Sequence, residues 1–221
     1  TFGTSRRAEA EKIYFADIAD EKRIAEIVEE VQPQIILHTA ALVDVEKCEK
    51  DKDLARKVNV AATKTLADIC SKKNIKIVYI SSDYVFSGRE PSYFPFSQTN
   101  PINYYGETKA LGEIAVGNLE NHLIVRPAIL YGFNDFNDKK NFVLSSVKRL
   151  RNGEEIVLDN QRIKYPLLID DLARGINSLI QSDYRGIAHF SGKEAVTKYK
   201  WGRKIAEVFN LDSNKIIGKD L

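Results

Sequence analysis

The sequence predicts an α/β fold in which a parallel sheet is covered by helices on both faces, and three observations predict it. Strand and helix signals alternate from Lys12 to Arg126. The strands read as unbroken apolar runs rather than alternating ones. The composition, 43% hydrophobic and 29% charged over 221 residues, is that of a globular chain with a sizeable core. Parallel neighbours need crossover helices, and those helices bury both faces of the sheet they join.

The elements follow in order. Lys12–Asp17 is a short strand, and Glu21–Val31 is a helix with Ile24, Ile27, Val28 and Val31 at helical spacing, stopped by Pro33. Gln34–Ala41 is a strand apolar on both faces, and a long helix runs from about Asp53 to Lys73. Lys76–Ser82 is the next strand. Residues 83–103, rich in Gly, Pro, Ser and aromatics, form a loop, and loops of that length in compact domains tend to be functional. A helix from Tyr104 to Leu119 and a strand from His122 to Arg126 complete a doubly wound, Rossmann-like sheet. Residues 1–130 are therefore expected to bind cofactor. Residues 131–221 carry shorter, mixed elements and are expected to be a smaller C-terminal substrate-binding lobe: strands over 154–158 and 188–191, helices over 170–181 and 197–209.

Charge excludes whole classes of partner. Thirty-three Lys and Arg against 31 Asp and Glu leave +2, which makes no electrostatic case for nucleic acid or a membrane surface. Cys48 and Cys70 lack metal-ligand spacing and suit a reducing compartment, and His38, His122 and His189 are dispersed, so no metal site is expected. Neither a membrane span nor a signal peptide is read, and a cytoplasmic protein is expected. The chain starts at Thr1 and contains no Met, and it is expected to be part of a longer polypeptide.

Chemistry concentrates at Ser82, Tyr105 and Lys109. Reducing a ketone requires a hydride on carbon and a proton on oxygen. Tyrosine can give that proton if its phenol, ordinarily near pKa ~10, is acidified, and a lysine one helical turn later favours phenolate. A serine hydroxyl can hold the same oxygen. The Tyr-x-x-x-Lys spacing occurs by chance on surface helices; a strand ending in Ser81-Ser82, a loop, and the Tyr at a helix start favour the catalytic reading. Alternatives stay open for single residues. Lys109 could pair with Glu113 on a solvated face. Asn59 could be an exposed polar position within its helix. Tyr84, Val85 and Phe86 could be core beneath the loop, the preferred reading for Val85. Ser5-Arg6-Arg7 could be a solvated turn or a phosphate clamp. Three strand ends, Asp17-Ile18, Thr39-Ala40-Ala41 and Ser82-Asp83, stand where open α/β sheets bind ligands, and Ala40 and Ala41 would let a flat cofactor approach the backbone.

Ile80-Ser-Ser-Asp-Tyr-Val-Phe86, Asn103-Tyr-Tyr-Gly-Glu-Thr-Lys109 and Arg126-Pro-Ala-Ile-Leu-Tyr-Gly132 resemble the extended short-chain dehydrogenase/reductases. Within these the chain is similar to the dTDP-4-dehydrorhamnose reductase group, which includes the regulatory beta subunit of methionine adenosyltransferase. The resemblance runs from Ser5 to about Leu211 and includes His38-Thr-Ala-Ala41, Asp44, Val58-Asn59-Val60, Asp171-Leu-Ala173 and Thr197-Lys-Tyr199. It implies catalytic roles for Ser82, Tyr105 and Lys109, with Lys109 also on the nicotinamide ribose. It implies cofactor contacts from Ser5, Arg6 and Arg7 at the adenosine 2′-phosphate, from Asp17 and Ile18 around adenine, and from Thr39, Ala40, Ala41 and Asn59. An Arg at the phosphate position points to NADPH over NADH. Ser82, Asp83, Tyr84 and Ile129 would face the substrate.

Two departures stand out. The Gly-rich strand and turn that opens the family is absent from this chain, whose first glycine is Gly3, and the family continues past Leu221. The reductases often carry an aromatic residue where Ile129 stands. The resemblance therefore implies reduction of the 4-keto group of a nucleotide-linked 6-deoxy sugar, as in dTDP-rhamnose biosynthesis. Alternatively it implies an NADP-binding regulatory subunit of a methionine adenosyltransferase, or a sugar-nucleotide epimerase or dehydratase. Its partners would be a nucleotide sugar and a second copy in a homodimer, or an adenosyltransferase.

Overall fold

A computed structural model describes residues 1–6, 11–90, 92–133 and 141–220. The chain divides into two compact units, one of residues 1–126 and 183–189, the other of residues 127–182 and 190–221.

The first unit is built as the sequence pattern requires. Strands β1 (Gly3–Ser5) and β2 (Ile13–Phe15) pair in parallel. Helix α1 (Glu21–Val31) is capped at its start by the Asp20 carboxylate, which accepts from the Arg23 amide; it ends at Gln32, whose left-handed backbone (φ 47°) precedes Pro33. Strand β3 (Ile35–His38) is followed by two short helices, α2 (Val45–Lys50) and α3 (Lys52–Ala55), capped by Asp44 and Asp51. The chain then widens into a π-helical turn over Arg56–Ala61 before α4 (Ala62–Lys73). Strand β4 (Lys76–Ile80), a 3₁₀ turn over Asp83–Val85, helix α5 (Tyr104–Gly117) and strand β5 (His122–Pro127) complete the run. Strand β4 pairs in parallel with β3 on one side and with β5 on the other.

Burial on both faces holds for β4 and β5, whose apolar residues are almost all buried. It does not hold for β3: His38 is buried, but Ile35 and Leu37 are exposed, because β3 is the outermost strand of its four-stranded sheet. The core joins Ile24, Ile27 and Val28 of α1, Leu66 and Cys70 of α4, Ile77 and Tyr79 of β4, Val116 of α5 and Ile124 of β5. Each such side chain contributes roughly 1.5–3 kcal/mol by burial.

The second unit contains β6 (Leu130–Tyr131), α6 (Phe142–Arg151), β7 (Ile156–Asp159), β8 (Ile163–Lys164), β9 (Leu167–Leu168) and α7 (Ile169–Gln181). After β10 (Gly186–Phe190) come β11 (Val196–Thr197), α8 (Lys198–Val208) and β12 (Ile216–Lys219). Its strands form three small pairs, β6 with β9 and β7 with β12 in parallel, and β8 with β11 antiparallel. Trp201 packs on Val147 and Ile205, with the Phe142 ring 4.6 Å away. Strand β10 corrects the expected division of the chain. Its segment was assigned to the smaller lobe, yet it pairs beside β5 as an edge of the first unit's sheet, because a strand lying beside β5 satisfies that strand's outer backbone groups.

Helix α5 lies against β4 at Gly112, where a Cβ would stand 2.2 Å from the Tyr79 hydroxyl oxygen and 2.7 Å from its ring carbon. Tyr79 is fully buried and cannot swing aside. Gly112→Ala is therefore expected to destabilise the protein by about 1–3 kcal/mol, although alanine is the better helix former by about 1 kcal/mol. A lowered urea midpoint checks this.

Candidate active site

The site grows from the carboxyl ends of β3 and β4 and the start of α5. Asn103 caps α5 by accepting from the Gly106 amide at 2.8 Å. Gly106 is required by close approach: a Cβ there would lie 2.1 Å from the Tyr84 carbonyl oxygen. The absent side chain lets the turn after Ser82 rest directly on the helix that carries Tyr105.

The three expected catalytic residues lie close to these elements. Ser82 is buried; its hydroxyl accepts from the Tyr84 amide and donates to Asp83 Oδ1, both at 3.2 Å. The Tyr84 ring meets the Tyr105 ring edge-on with centroids 5.8 Å apart. Cys48 and Ala55 pack on Tyr105 from α2 and α3. Burial pushes the Tyr105 phenol up to about 12; the nearby Ser82 hydroxyl opposes this, and Asp83 adds to it. Burial thus outweighs the acidification that the Tyr–Lys spacing predicts.

Lys109, one turn on, is only 2% exposed, and its Nζ lies 4.0 Å over the Tyr79 ring. Burial pushes its ammonium down to about 7, against the opposing effect of Glu113. The solvated Lys109–Glu113 pair is overturned, because both side chains are buried. Glu113 instead takes a bidentate ion pair from Arg126, at 2.9 and 2.6 Å, and the Ser81 hydroxyl donates to it at 2.5 Å. Sequence reasoning named Glu113 only as a partner of Lys109 and gave Ser81 and Arg126 no role of their own. The signal was present, since a charged residue inside the apolar strand Leu-Ile-Val-Arg126 must find a partner.

Asn59 is also corrected. It is buried, not an exposed helix position, and sits in the π-helical turn. Its Oδ1 accepts from the Leu42 amide at 2.7 Å, and its Nδ2 donates to the Leu42 carbonyl and to Thr108 Oγ1, each at 3.0 Å. Thr108 donates in turn to the Tyr105 carbonyl at 2.7 Å. Asn59 thereby ties the segment after β3 to the first turn of α5.

The remaining expected contacts scatter along the strand ends. Thr39 and Ala40 are exposed and Ala41 half-buried just beyond β3, leaving small side chains around open backbone. Arg6 is exposed after β1 and lies 3.6 Å from the Asp17 carboxylate after β2. Ile18 is half-buried against the first unit's core, and Ser5 ends β1. Arg7 lies outside the described residues. Tyr84 is exposed, Asp83 half-buried and Val85 fully buried, the last as expected. Ile129 packs on the Trp201 cluster of the second unit. These positions suit a dinucleotide: an exposed guanidinium for phosphate, small residues at a strand end, and a lysine one helical turn from a tyrosine. Among the described residues no cluster of His, Cys, Asp and Glu could hold a metal ion, and no helix is long and apolar enough to cross a membrane.

Residues 4–219 match the family described as RmlD substrate binding domain. Methionine adenosyltransferase 2 subunit beta of Mus musculus is 30% identical over 98% of the chain, which spans 66% of that relative's length. A probable low-salt glycan biosynthesis reductase of Haloferax volcanii is 30% identical over 92% of the chain and 69% of its own. The crystal structure of dTDP-4-dehydrorhamnose reductase from Bacillus anthracis in complex with NADP superposes with a TM-score of 0.89 at 30% identity, covering 99% of this chain and 83% of that one.

The buried lysine has a consequence for stability. Its folded value, about 7, lies below the ordinary 10.5, so the stability of the neutral-amine state is present above about 10.5 and lost as pH falls through about 7. Lys109→Met is expected to stabilise the protein near pH 6 by on the order of a few kcal/mol, with a smaller gain towards pH ~10. Denaturation of both proteins across that range checks the sign.

Proposed function

We propose that this chain, which belongs to the RmlD substrate binding domain family, is an NADPH-dependent reductase of the 4-keto group of a nucleotide-linked 6-deoxy sugar. The observation that carries the proposal is the burial of Ser82 just beyond β4 and of Tyr105 and Lys109 one turn apart at the start of α5. The chemistry supplied by a bound NADPH is a hydride for the carbonyl carbon. Ser82 donates a hydrogen bond to the carbonyl oxygen and holds it against Tyr105. Tyr105, with its phenol near 12, is fully protonated at neutral pH. It can still give its proton to the oxygen as charge develops there, because an alkoxide is a stronger base than a phenolate. Lys109 offsets the phenolate left behind and would hold the ribose hydroxyls. Ser5 and Arg6 would meet the 2′-phosphate, Asp17 and Ile18 the adenine, and Thr39 to Ala41 the cofactor through their backbone. Asp83 and Tyr84 would face the sugar nucleotide.

A second reading has its own support. The likeness to methionine adenosyltransferase 2 subunit beta extends over 98% of the chain, and it supports an NADP-binding regulatory subunit for an adenosyltransferase.

Full-length protein mixed with NADPH and dTDP-4-keto-6-deoxyhexose is expected to consume NADPH, followed as loss of nicotinamide absorbance. Tyr105→Phe should lower kcat by roughly 10²–10⁴-fold and leave NADPH affinity nearly unchanged. NADPH binding without turnover, with an adenosyltransferase co-purifying, overturns the reductase in favour of the second reading. Arg6→Ala should weaken NADPH binding about tenfold or more and leave NADH binding unaffected, measured by fluorescence titration.

A further inference from the structure

Arg126 of β5 is a buried guanidinium with partners on two sides. On one side its Nε and Nη2 hold the Glu113 carboxylate, at 2.9 and 2.6 Å. On the other, Nη1 donates to the Pro95 carbonyl at 3.2 Å and lies 3.2 Å from Nε2 of His189 on β10. The guanidinium carbon also stands 4.9 Å from the centre of the Phe86 ring. A guanidinium is a rigid planar fork, so fixing one edge on a carboxylate aims the donor that remains. Here Nη1 is aimed at residues 83–103, the stretch between Ser82 and helix α5.

Neither regular structure nor burial seats the middle of that stretch. Past the 3₁₀ turn over Asp83–Val85 it contains no helix or strand among the described residues. Phe94 and Phe96, on either side of Pro95, stack with centroids 5.5 Å apart but are 54% and 87% exposed, so burial does little to fasten them. The Asn100 amide donates to the Val85 carbonyl at 2.9 Å, and the Ser87 and Tyr93 hydroxyls pair at 3.2 Å, bonds that close the loop on itself without joining it to the sheet. Arg126 joins it to the sheet at two points. One is the Pro95 carbonyl. The other is Phe86, a buried ring stacked on Tyr93 at 4.2 Å and edge-on to His189 at 5.7 Å. Phe86 directly follows the Asp83–Val85 turn, so a grip on its ring is a grip on that turn. We propose that Arg126, aimed by Glu113, is a positioning residue that clamps residues 83–103 to the sheet and thereby holds Asp83 and Tyr84 in place for the sugar nucleotide. What the turn receives rests on the reductase reading; that Arg126 clamps the loop does not.

The test compares hydrogen exchange of full-length protein and of Glu113→Gln/Arg126→Met, which removes both buried charges and so leaves no lone carboxylate. Amide exchange over residues 93–97 is expected to quicken about tenfold, while the strand at 76–80 keeps its protection. The KM for the nucleotide sugar should rise about tenfold with kcat changed by less than about threefold, and NADPH affinity should not move. Unchanged exchange at 93–97, or a gain shared equally with residues 76–80, overturns the clamp. A loop-confined gain with KM unaltered overturns the positioning role. Should the double variant not fold, Arg126→Lys keeps a cation beside Glu113, but a single ammonium cannot span both the carboxylate and the Pro95 carbonyl. The same loop-confined gain is expected there, and its absence overturns the proposal equally. If the unaltered protein reduces no sugar, the reductase reading fails, and the exchange measurement still decides whether Arg126 clamps the loop.

Discussion

The structure depends on one constraint: helix α5 buries polar and charged groups on the face that packs against the sheet. Tyr105, Thr108, Lys109 and Glu113 are all buried there, and each must find a partner in a medium that penalises lone charges and unpaired dipoles. Every neighbouring element is shaped by that need. Strand β5 carries Arg126 inward to neutralise Glu113. Ser81, just beyond β4, adds a donor, and Tyr79 offers its ring face to Lys109. Gly106 and Gly112 remove the side chains that would hold the helix away from these partners.

The π-helical turn at Arg56–Ala61 answers the same constraint from the other side. An extra residue per turn re-aims side chains without ending a helix, and here it directs Asn59 inward. The carboxamide then completes the backbone pairing of Leu42 and reaches Thr108. The loop after β3, where small residues leave the backbone open, and the helix start that carries Tyr105 are thereby fixed to one side chain.

What the sequence disclosed and what it concealed divide along physical lines. Apolar runs and helical periodicity revealed β3, β4, β5, α1, α4 and α5, because hydrophobic pattern is local information. Helices α2 and α6 and strand β12 escaped notice. The first is short and mostly charged and the last only four residues long, whereas α6 carries Val143, Val147 and Leu150 at helical spacing, a signal that was present in the sequence. Strand β10 was seen but placed in the smaller lobe, since pairing beside β5 is decided by a non-local edge. The triad was legible because its spacing reflects one helical turn. Its support was legible only in part: Glu113 was read as a partner of Lys109, but its pairing with Arg126 of β5 is a juxtaposition that no spacing encodes.

The buried charges also bear on which reading of function the site favours. A lysine held near 7 in an apolar layer costs folding free energy over most of the neutral range, and a buried ion pair such as Glu113–Arg126 is weak evidence for stability. Stability alone therefore gives no reason for Lys109, Glu113 and Arg126 to stand together. A charge maintained at such cost is explained by a ligand that meets it, and a nicotinamide ribose beside a proton-donating tyrosine is such a ligand. Both readings of the protein use Lys109 in that way. They part at Tyr105, which only a reductase requires to have an ionisable hydroxyl. A binding subunit would work as well with phenylalanine there. The tyrosine itself, buried at the helix start that carries Lys109, is thus the feature that leans towards chemistry.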